Sequence, residues 1–370
     1  MSPKQKVFVI GSGIAGMACA IRLATQGFEV TVFEKNKYPG GKLSVFEKDG
    51  YRFDTGPSLF VQPENIEELF SLAGEDIHQY FTYKPLDVTC KYFYEDGTVI
   101  NAYANTKKFA KEVEEKTGES AQHVVAYLEE SKKIYRDIGS IFLNHSLHKK
   151  RIWKKLDTLK ALQATRSDYI FSTLHKENKK QFHSPHIVQL FDRFATYSGS
   201  NPYKAPGMLK LIPYVEFYAG SFYPAGGMIA ISNALYHLAL KKGVTFHFDS
   251  PVQHIIESNN KTKGVVINNE HLLADVVVSN ADVYFTYSEL LNKKKEAKKI
   301  LKQERSSSAL IFYWGIKKEF SQLELHNIFF SKNYKAEFES IFDTKMPYHD
   351  PTVYINITSK MEPCMHAPLK

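Results

Sequence analysis

Val7-Phe8-Val9-Ile10-Gly11-Ser12-Gly13-Ile14-Ala15-Gly16 is the stretch on which the fold turns. Four apolar residues running into a glycine read as a short strand buried on both faces. Gly11 permits the tight turn out of that strand. Gly13 has no Cβ, so a backbone here can come close to a pyrophosphate. Gly16 lets the following helix pack tightly on the sheet, and Ile14 and Ala15 open that helix, whose free N–H groups favour phosphate. The helix is expected over 14–26 from the apolar positions Ile14, Met17, Ala18 and Ile21, with Gly27 as its stop. Residues 29–34 read as a second strand, which completes a βαβ unit. Glu34 ends it, roughly twenty residues past the glycines, where a carboxylate can accept hydrogen bonds from both hydroxyls of an adenosine ribose. The same acid would repel a 2′-phosphate and so disfavours NADP.

Two further blocks follow. Pro39-Gly40-Gly41-Lys42 places bare backbone beside a cation, which suits contact with a pyrophosphate or with the flavin side of a cofactor. An ordinary loop could read the same if it stood alone. Gly50-Tyr51-Arg52-Phe53-Asp54-Thr55-Gly56-Pro57-Ser58 is another glycine-bounded strand and turn. Together the three blocks point to a flavin fold and away from a simple NAD dehydrogenase. Farther along, 65–73, 107–116 and 120–140 are helical by pattern, and 91–94 with 98–101 read as a hairpin. Residues 222–227 are expected as a proline-glycine turn, followed by a helix over 228–241 that Gly243 stops. Strands are expected at 244–248, 263–267 and 276–279, and 309–316 reads as a buried strand.

At 370 residues two domains are expected. The α/β character of 1–85 and 222–285 assigns those pieces to one discontinuous Rossmann-type FAD-binding domain. An inserted α+β substrate domain is then formed by 86–221 and 286–370. Hydrophobic residues make up 43 % and charged residues 24 %, the balance of an ordinary globular chain. Aromatics reach 14 %, which suits either a bulky core or a long apolar channel. Cys19, Cys90 and Cys364 form no paired motif, so neither a disulfide framework nor a metal site is expected. The first apolar run is far too short for a secretory signal. No run approaches the ~18 residues that span a bilayer. A cytoplasmic location is therefore expected.

The net charge of +8 has a definite place. From Lys132 to Lys180 there are thirteen Lys and Arg against Asp137, Asp157, Asp168 and Glu177, interleaved with apolar residues such as Ile138, Leu147, Trp153 and Leu159. A basic helix with an apolar face reads as an element lying on an anionic membrane. A lysine-rich helix whose apolar face is simply core is the plainer alternative. No nucleic-acid recognition module is visible.

The chain resembles the carotenoid desaturases of the bacterial phytoene desaturase type, within the amine oxidase-like flavoproteins. The N-terminal blocks mark the wider superfamily. Ser198-Gly199-Ser200-Asn201-Pro202-Tyr203, Phe222-Tyr223-Pro224-Ala225-Gly226-Gly227-Met228 and Ser279-Asn280-Ala281-Asp282 narrow it, and the nearest likeness is to the flavobacterial hydroxycarotenoid 3,4-desaturases. The resemblance implies FAD, with Gly11, Gly13, Ile14, Ala15, Gly16, Glu34, Lys35, Gly41, Lys42, Gly56, Pro57, Ser58, Val252, Asn280, Ala281 and Asp282 at the cofactor. It implies a carotenoid substrate, a peripheral place on the cytoplasmic membrane, and a quinone or oxygen as final electron acceptor. Relatives continue to a glycine-rich block beside the flavin ring. The numbered sequence stops at Ala367-Pro368-Leu369-Lys370 before it, so weak FAD retention is expected.

Desaturation removes two hydrogens from a saturated C–C bond beside a polyene. The cation left by the first loss is allylic, so a weak base suffices for the second, and neither a strong nucleophile nor a metal is needed. Asp192 and Arg193 are the candidate catalytic pair, as a proton acceptor and a charge-steering group. A structural ion pair on a helix is the competing reading. Tyr197 and Tyr223 are candidate channel residues, with plain core packing as the equal alternative. A carotenoid cis–trans isomerase, a flavin amine oxidase and a non-catalytic carotenoid carrier remain the alternatives.

Overall fold

The computed structural model describes residues 4–139, 141, 145, 149, 168–259 and 261–362. Contacts divide them into two compact units. The first is built from chain up to Lys84, from Phe222–Arg305 and from Glu362. The second comprises Pro85–Ser221 and Ser306–Met361.

In the first unit β1 (Lys6–Ile10), α1 (Ile14–Thr25) and β2 (Glu29–Phe33) form the expected βαβ unit. A parallel sheet is ordered Thr245–His247, β2, β1, Val276–Ser279. The register pairs Val7 with Val30 on one side and with Val276 on the other. Val7 and Val9 face α1 and the helix Ile229–Lys241, in a core with Met17, Ile21, Leu235 and Leu238. Phe8, Ile10 and Phe33 face the opposite way, against Val265 and Ile267 of an antiparallel three-stranded sheet. A strand covered on both faces must be apolar at successive positions, which is why β1 reads as an unbroken run. Each large side chain so buried contributes roughly 1.5–3 kcal/mol.

The second unit holds a four-stranded sheet in the order Val353–Asn356, His326–Phe329, Val88–Phe93, Val99–Tyr103. One face packs on the helices Thr106–Thr117, Ala121–Ile134 and Pro185–Asp192. Tyr92, Ile100, Phe109, Tyr127 and Phe191 are buried there. Asn105, Ser120 and Thr173 cap helices in this unit through side-chain oxygens.

Three expectations need correction. Residues 309–316 pair with no strand among the described residues, and Leu310, Trp314 and Ile316 are 83 %, 69 % and 48 % exposed. An apolar run marks a segment fit for a sheet, but a strand exists only where it pairs with a neighbour, and none of the described strands pairs with this segment. Residues 286–305 belong with the first unit, because Leu290 packs onto the Phe8–Phe33 cluster. Residues 222–224 are not turn: Ser221–Pro224 is a strand, and the bend comes after it at Gly226 and Gly227, both with positive φ. Most of the basic stretch assigned to a membrane surface lies outside the described residues.

Candidate functional site: a glycine cradle at the end of the parallel sheet

The cradle is set by backbone geometry. Gly11 has φ +94°, and its N–H donates to Phe33 O at 2.8 Å, which ties the exit of β1 to the end of β2. A Cβ on Gly16 would lie 2.2 Å from Gly11 O. The close approach of α1 to the turn therefore requires glycine. Gly13 precedes α1 in extended conformation, no side chain caps the helix, and its first turn carries no acid. The first-turn amides thus have no anion of their own.

A second loop closes over this turn. Gly40 N donates to Ser12 O at 2.9 Å, and Gly13 and Gly40 form an isolated bridge. A Cβ on Gly41 would stand 3.2 Å from Gly13 Cα, and one on Gly40 would meet Ser232 Oγ at 2.2 Å. The buried hydroxyl of Ser232 has no hydrogen-bond partner in the described chain. Asn280 comes to the same place from the sheet's outer strand. Its N–H donates to Ile10 O at 2.8 Å, and its Nδ2 lies 3.0 Å from where a Gly13 Cβ would be. Lys42 and Lys35 are exposed. A bare-backbone cradle with uncapped amides, a side-chain amide and nearby cations suits a pyrophosphate.

Glu34 is 5 % exposed. Its Oε2 accepts from Ser12 N at 2.8 Å and from Ser12 Oγ at 2.9 Å, and Oε1 accepts from Asn36 N at 2.9 Å. The segment bearing Val252 is drawn alongside by Ser250 N, which donates to Glu34 O at 2.8 Å. Val252 itself is half-buried against the Phe8–Phe33 cluster. Acid, glycine turn and Val252 segment thus line one end of the sheet, as an adenine-ribose-diphosphate group requires.

The remaining cofactor candidates take separate positions. Gly56 has φ +82°, and a Cβ there would lie 2.1 Å from Lys42 O, so this turn abuts the Gly40–Lys42 loop. Pro57 is exposed and Ser58 half-buried. Ala281 is exposed, and Asp282 caps a short helix by accepting from Tyr284 N at 2.8 Å. The spacing gave no sign of Asp54, whose Oδ2 accepts from Met228 N at 3.0 Å, nor of Arg52, which donates to Gly226 O at 3.0 Å. These two fix the bend before Ile229–Lys241, the helix that carries Ser232.

In the second unit Asp192 and Arg193 are neighbours in sequence but not partners. Asp192 is 1 % exposed. Its oxygens accept from Asn178 Nδ2 at 2.8 Å and pair with His175 Nδ1 at 2.6 Å. Burial pushes its carboxyl above the usual range, against the pull of His175 and Asn178. Arg193 instead donates to Glu216 at 2.9 Å, where Tyr197 OH also donates at 2.6 Å and Thr89 Oγ1 at 3.0 Å. Burial opposes the charge on Arg193, but Glu216 outweighs it and holds the guanidinium firmly protonated. Glu216 is the one acid in the apolar run 211–218, a signal that a buried partner cation must exist. Tyr223 is buried in the first unit. No group of His, Cys, Asp and Glu among the described residues could hold a metal.

Comparison with known proteins places these features. The family model described as flavin containing amine oxidoreductase matches residues 14–307. The 1-hydroxycarotenoid 3,4-desaturase of Flavobacterium sp. (strain P99-3) is 51 % identical over 359 residues, covering 97 % of this chain and 73 % of that protein. The 4,4'-diapolycopene oxygenase of Methylomonas sp. is 31 % identical over 361 residues, covering 97 % and 72 %. Among solved structures, an oxidoreductase from Methanosarcina mazei superposes with a TM-score of 0.52 at 19 % identity, over 80 % of this chain and 64 % of that one. At that identity the likeness is one of fold.

Proposed function

This chain belongs to the flavin-containing amine oxidoreductases, and from that premise we propose that it is an FAD-dependent carotenoid desaturase acting on a hydroxylated carotenoid. The observation that carries the reading is the cradle of Gly11, Gly13, Gly16, Gly40 and Gly41 with the Glu34 carboxylate beside it. The relative 51 % identical along nearly the whole chain supplies the substrate class.

The residues present fit FAD. The α1 amides and the Gly40–Gly41 backbone would hold the pyrophosphate, with Asn280 Nδ2 as a further donor. Glu34 would take the ribose, and Val252 would lie toward the adenine. Gly56, Pro57 and Ser58 would face the flavin side. When bound, FAD supplies the two-electron acceptor for the two hydrogens removed. The chain's own part is to fix the polyene beside that acceptor and to keep water away while the allylic cation loses its proton. A quinone or oxygen would reoxidise the cofactor.

We further propose that the protein lies peripherally on the cytoplasmic membrane, since its substrate dissolves in bilayers. The basic, apolar-interleaved composition of 132–180 supports this, and no described helix is long and apolar enough to cross a membrane. Anionic vesicles should co-sediment the protein at low salt and release it at high salt. Failure to sediment at low salt would remove the membrane part.

The main test is to supply acyclic, monocyclic and hydroxylated carotenoids to the FAD-loaded protein and weigh the products. A product lighter by two hydrogens is expected, from a hydroxylated substrate first. Unchanged mass would mean isomerisation, and added oxygen would mean the chemistry named for the 31 % relative.

A further inference from the structure

We infer that Ser12 limits the acceptor capacity of Glu34, so that the acid reads one hydroxyl of a bound adenosine ribose and not both. This rests on the adenine-dinucleotide reading above and deepens it. An ionised carboxylate offers about four lone-pair directions, two on each oxygen. Three are in use among the described residues: Oε2 accepts both Ser12 N and Ser12 Oγ, at 2.8 and 2.9 Å, and Oε1 accepts Asn36 N at 2.9 Å. Oε2 is filled and Oε1 keeps one direction. A ribose diol brings two donors to this single opening.

The Ser12 amide bond cannot be given up without moving the glycine turn, and Asn36 is held in place by Asp249 N, which donates to Asn36 O at 3.1 Å. Ser12 O is itself tied to Gly40 N at 2.9 Å, and Gly11 N to Phe33 O at 2.8 Å. The Ser12 hydroxyl bond is the one that a substitution can delete while leaving the backbone alone. Ser12 is fully buried, so no bulk water competes for its proton. Ser12 is therefore a positioning residue that acts through Glu34. Ser12→Ala keeps the amide bonds and returns a second free direction on Oε2.

The probes are ADP, 2′-deoxy-ADP and 3′-deoxy-ADP, titrated calorimetrically into the full chain and into Ser12→Ala. In the unsubstituted protein one deoxy analogue should bind within about twofold of ADP. The other should bind roughly tenfold more weakly, as expected for losing a hydrogen bond to a charged acceptor. In Ser12→Ala, ADP should bind several-fold tighter and both deoxy analogues should fall below it. Equal weakening of both analogues in the unsubstituted protein would overturn the inference, as would an unchanged pattern in Ser12→Ala. Should that variant fail to fold, the analogue pattern of the unsubstituted chain decides. No binding of ADP to the folded, unsubstituted chain is a different result, and it removes the cofactor reading and this inference together.

Discussion

Single side chains in this protein divide by whether their partners are near in sequence. Glu34 takes its bonds from Ser12 and Asn36, inside one βαβ unit, so its importance is legible from spacing alone. Glu34→Ala should leave the buried Ser12 N–H and the half-buried Asn36 N–H without acceptors. We expect a loss of about 2–4 kcal/mol in stability together with weaker FAD binding, read by chemical denaturation and by flavin fluorescence. Asp192 and Arg193 show the opposite case. Their partners His175, Asn178 and Glu216 come from other elements, and no periodicity announces the pairing. Both Asp192 oxygens are engaged. Asp192→Ala should therefore lower stability by about 2–4 kcal/mol, because the buried Asn178 and the half-buried His175 lose their acceptor. Asp192→Asn separates two roles. Reduced melting temperature with turnover per folded molecule intact is the expected result. Lost turnover at unchanged stability and flavin content would give Asp192 the proton-accepting part.

Among elements, α1 depends most visibly on one residue. Gly16→Val would force a side chain into Gly11 O, a backbone atom that cannot swing away. The helix would have to lift off the sheet. We expect loss of FAD binding and destabilisation of more than about 3 kcal/mol, checked by thermal melts and flavin content. The parallel strands and α1 were legible because burial on both faces and 3.6-residue spacing are local patterns. The strand His326–Phe329 was not, because its parallel partner Val88–Phe93 lies far away in the chain, whereas Ser44–Lys48 pairs locally with Tyr51–Thr55 across Asp49-Gly50, a hairpin signal that the glycine-block reading passed over. For 309–316 the composition was right for a strand, and no described strand pairs with it. The bend at Gly226–Gly227 was legible as glycine-rich, but the Asp54 carboxylate that holds Met228 N was invisible from the sequence.

Each of the two units has its own core, and a buried imidazole makes the second one sensitive to mild acid. His326 is 1 % exposed, and burial depresses it from 6.5 to about 4. Between those values the unfolded chain binds a proton that the folded chain refuses, so stability must fall as pH drops from 6.5 toward 4. Below about 4 this group adds no further loss. The displacement corresponds to at most about 3 kcal/mol. Denaturant titrations at pH 7 and pH 4.5 should show that decline, and His326→Phe should flatten it.

The order of the parallel sheet bears on how the protein is made. Val7 on β1 finds its neighbour Val30 almost at once, yet its other neighbour is Val276. At ribosomal rates of roughly 5–20 residues per second, that second edge arrives tens of seconds after the first. For this interval a greasy ribbon of valine, phenylalanine and isoleucine waits unshielded on one side while the whole of Pro85–Ser221 is synthesised. Nascent chains stalled before residue 276 should therefore be the sticky ones, held by chaperones and prone to aggregate, and chains that have cleared the exit tunnel past that strand should not.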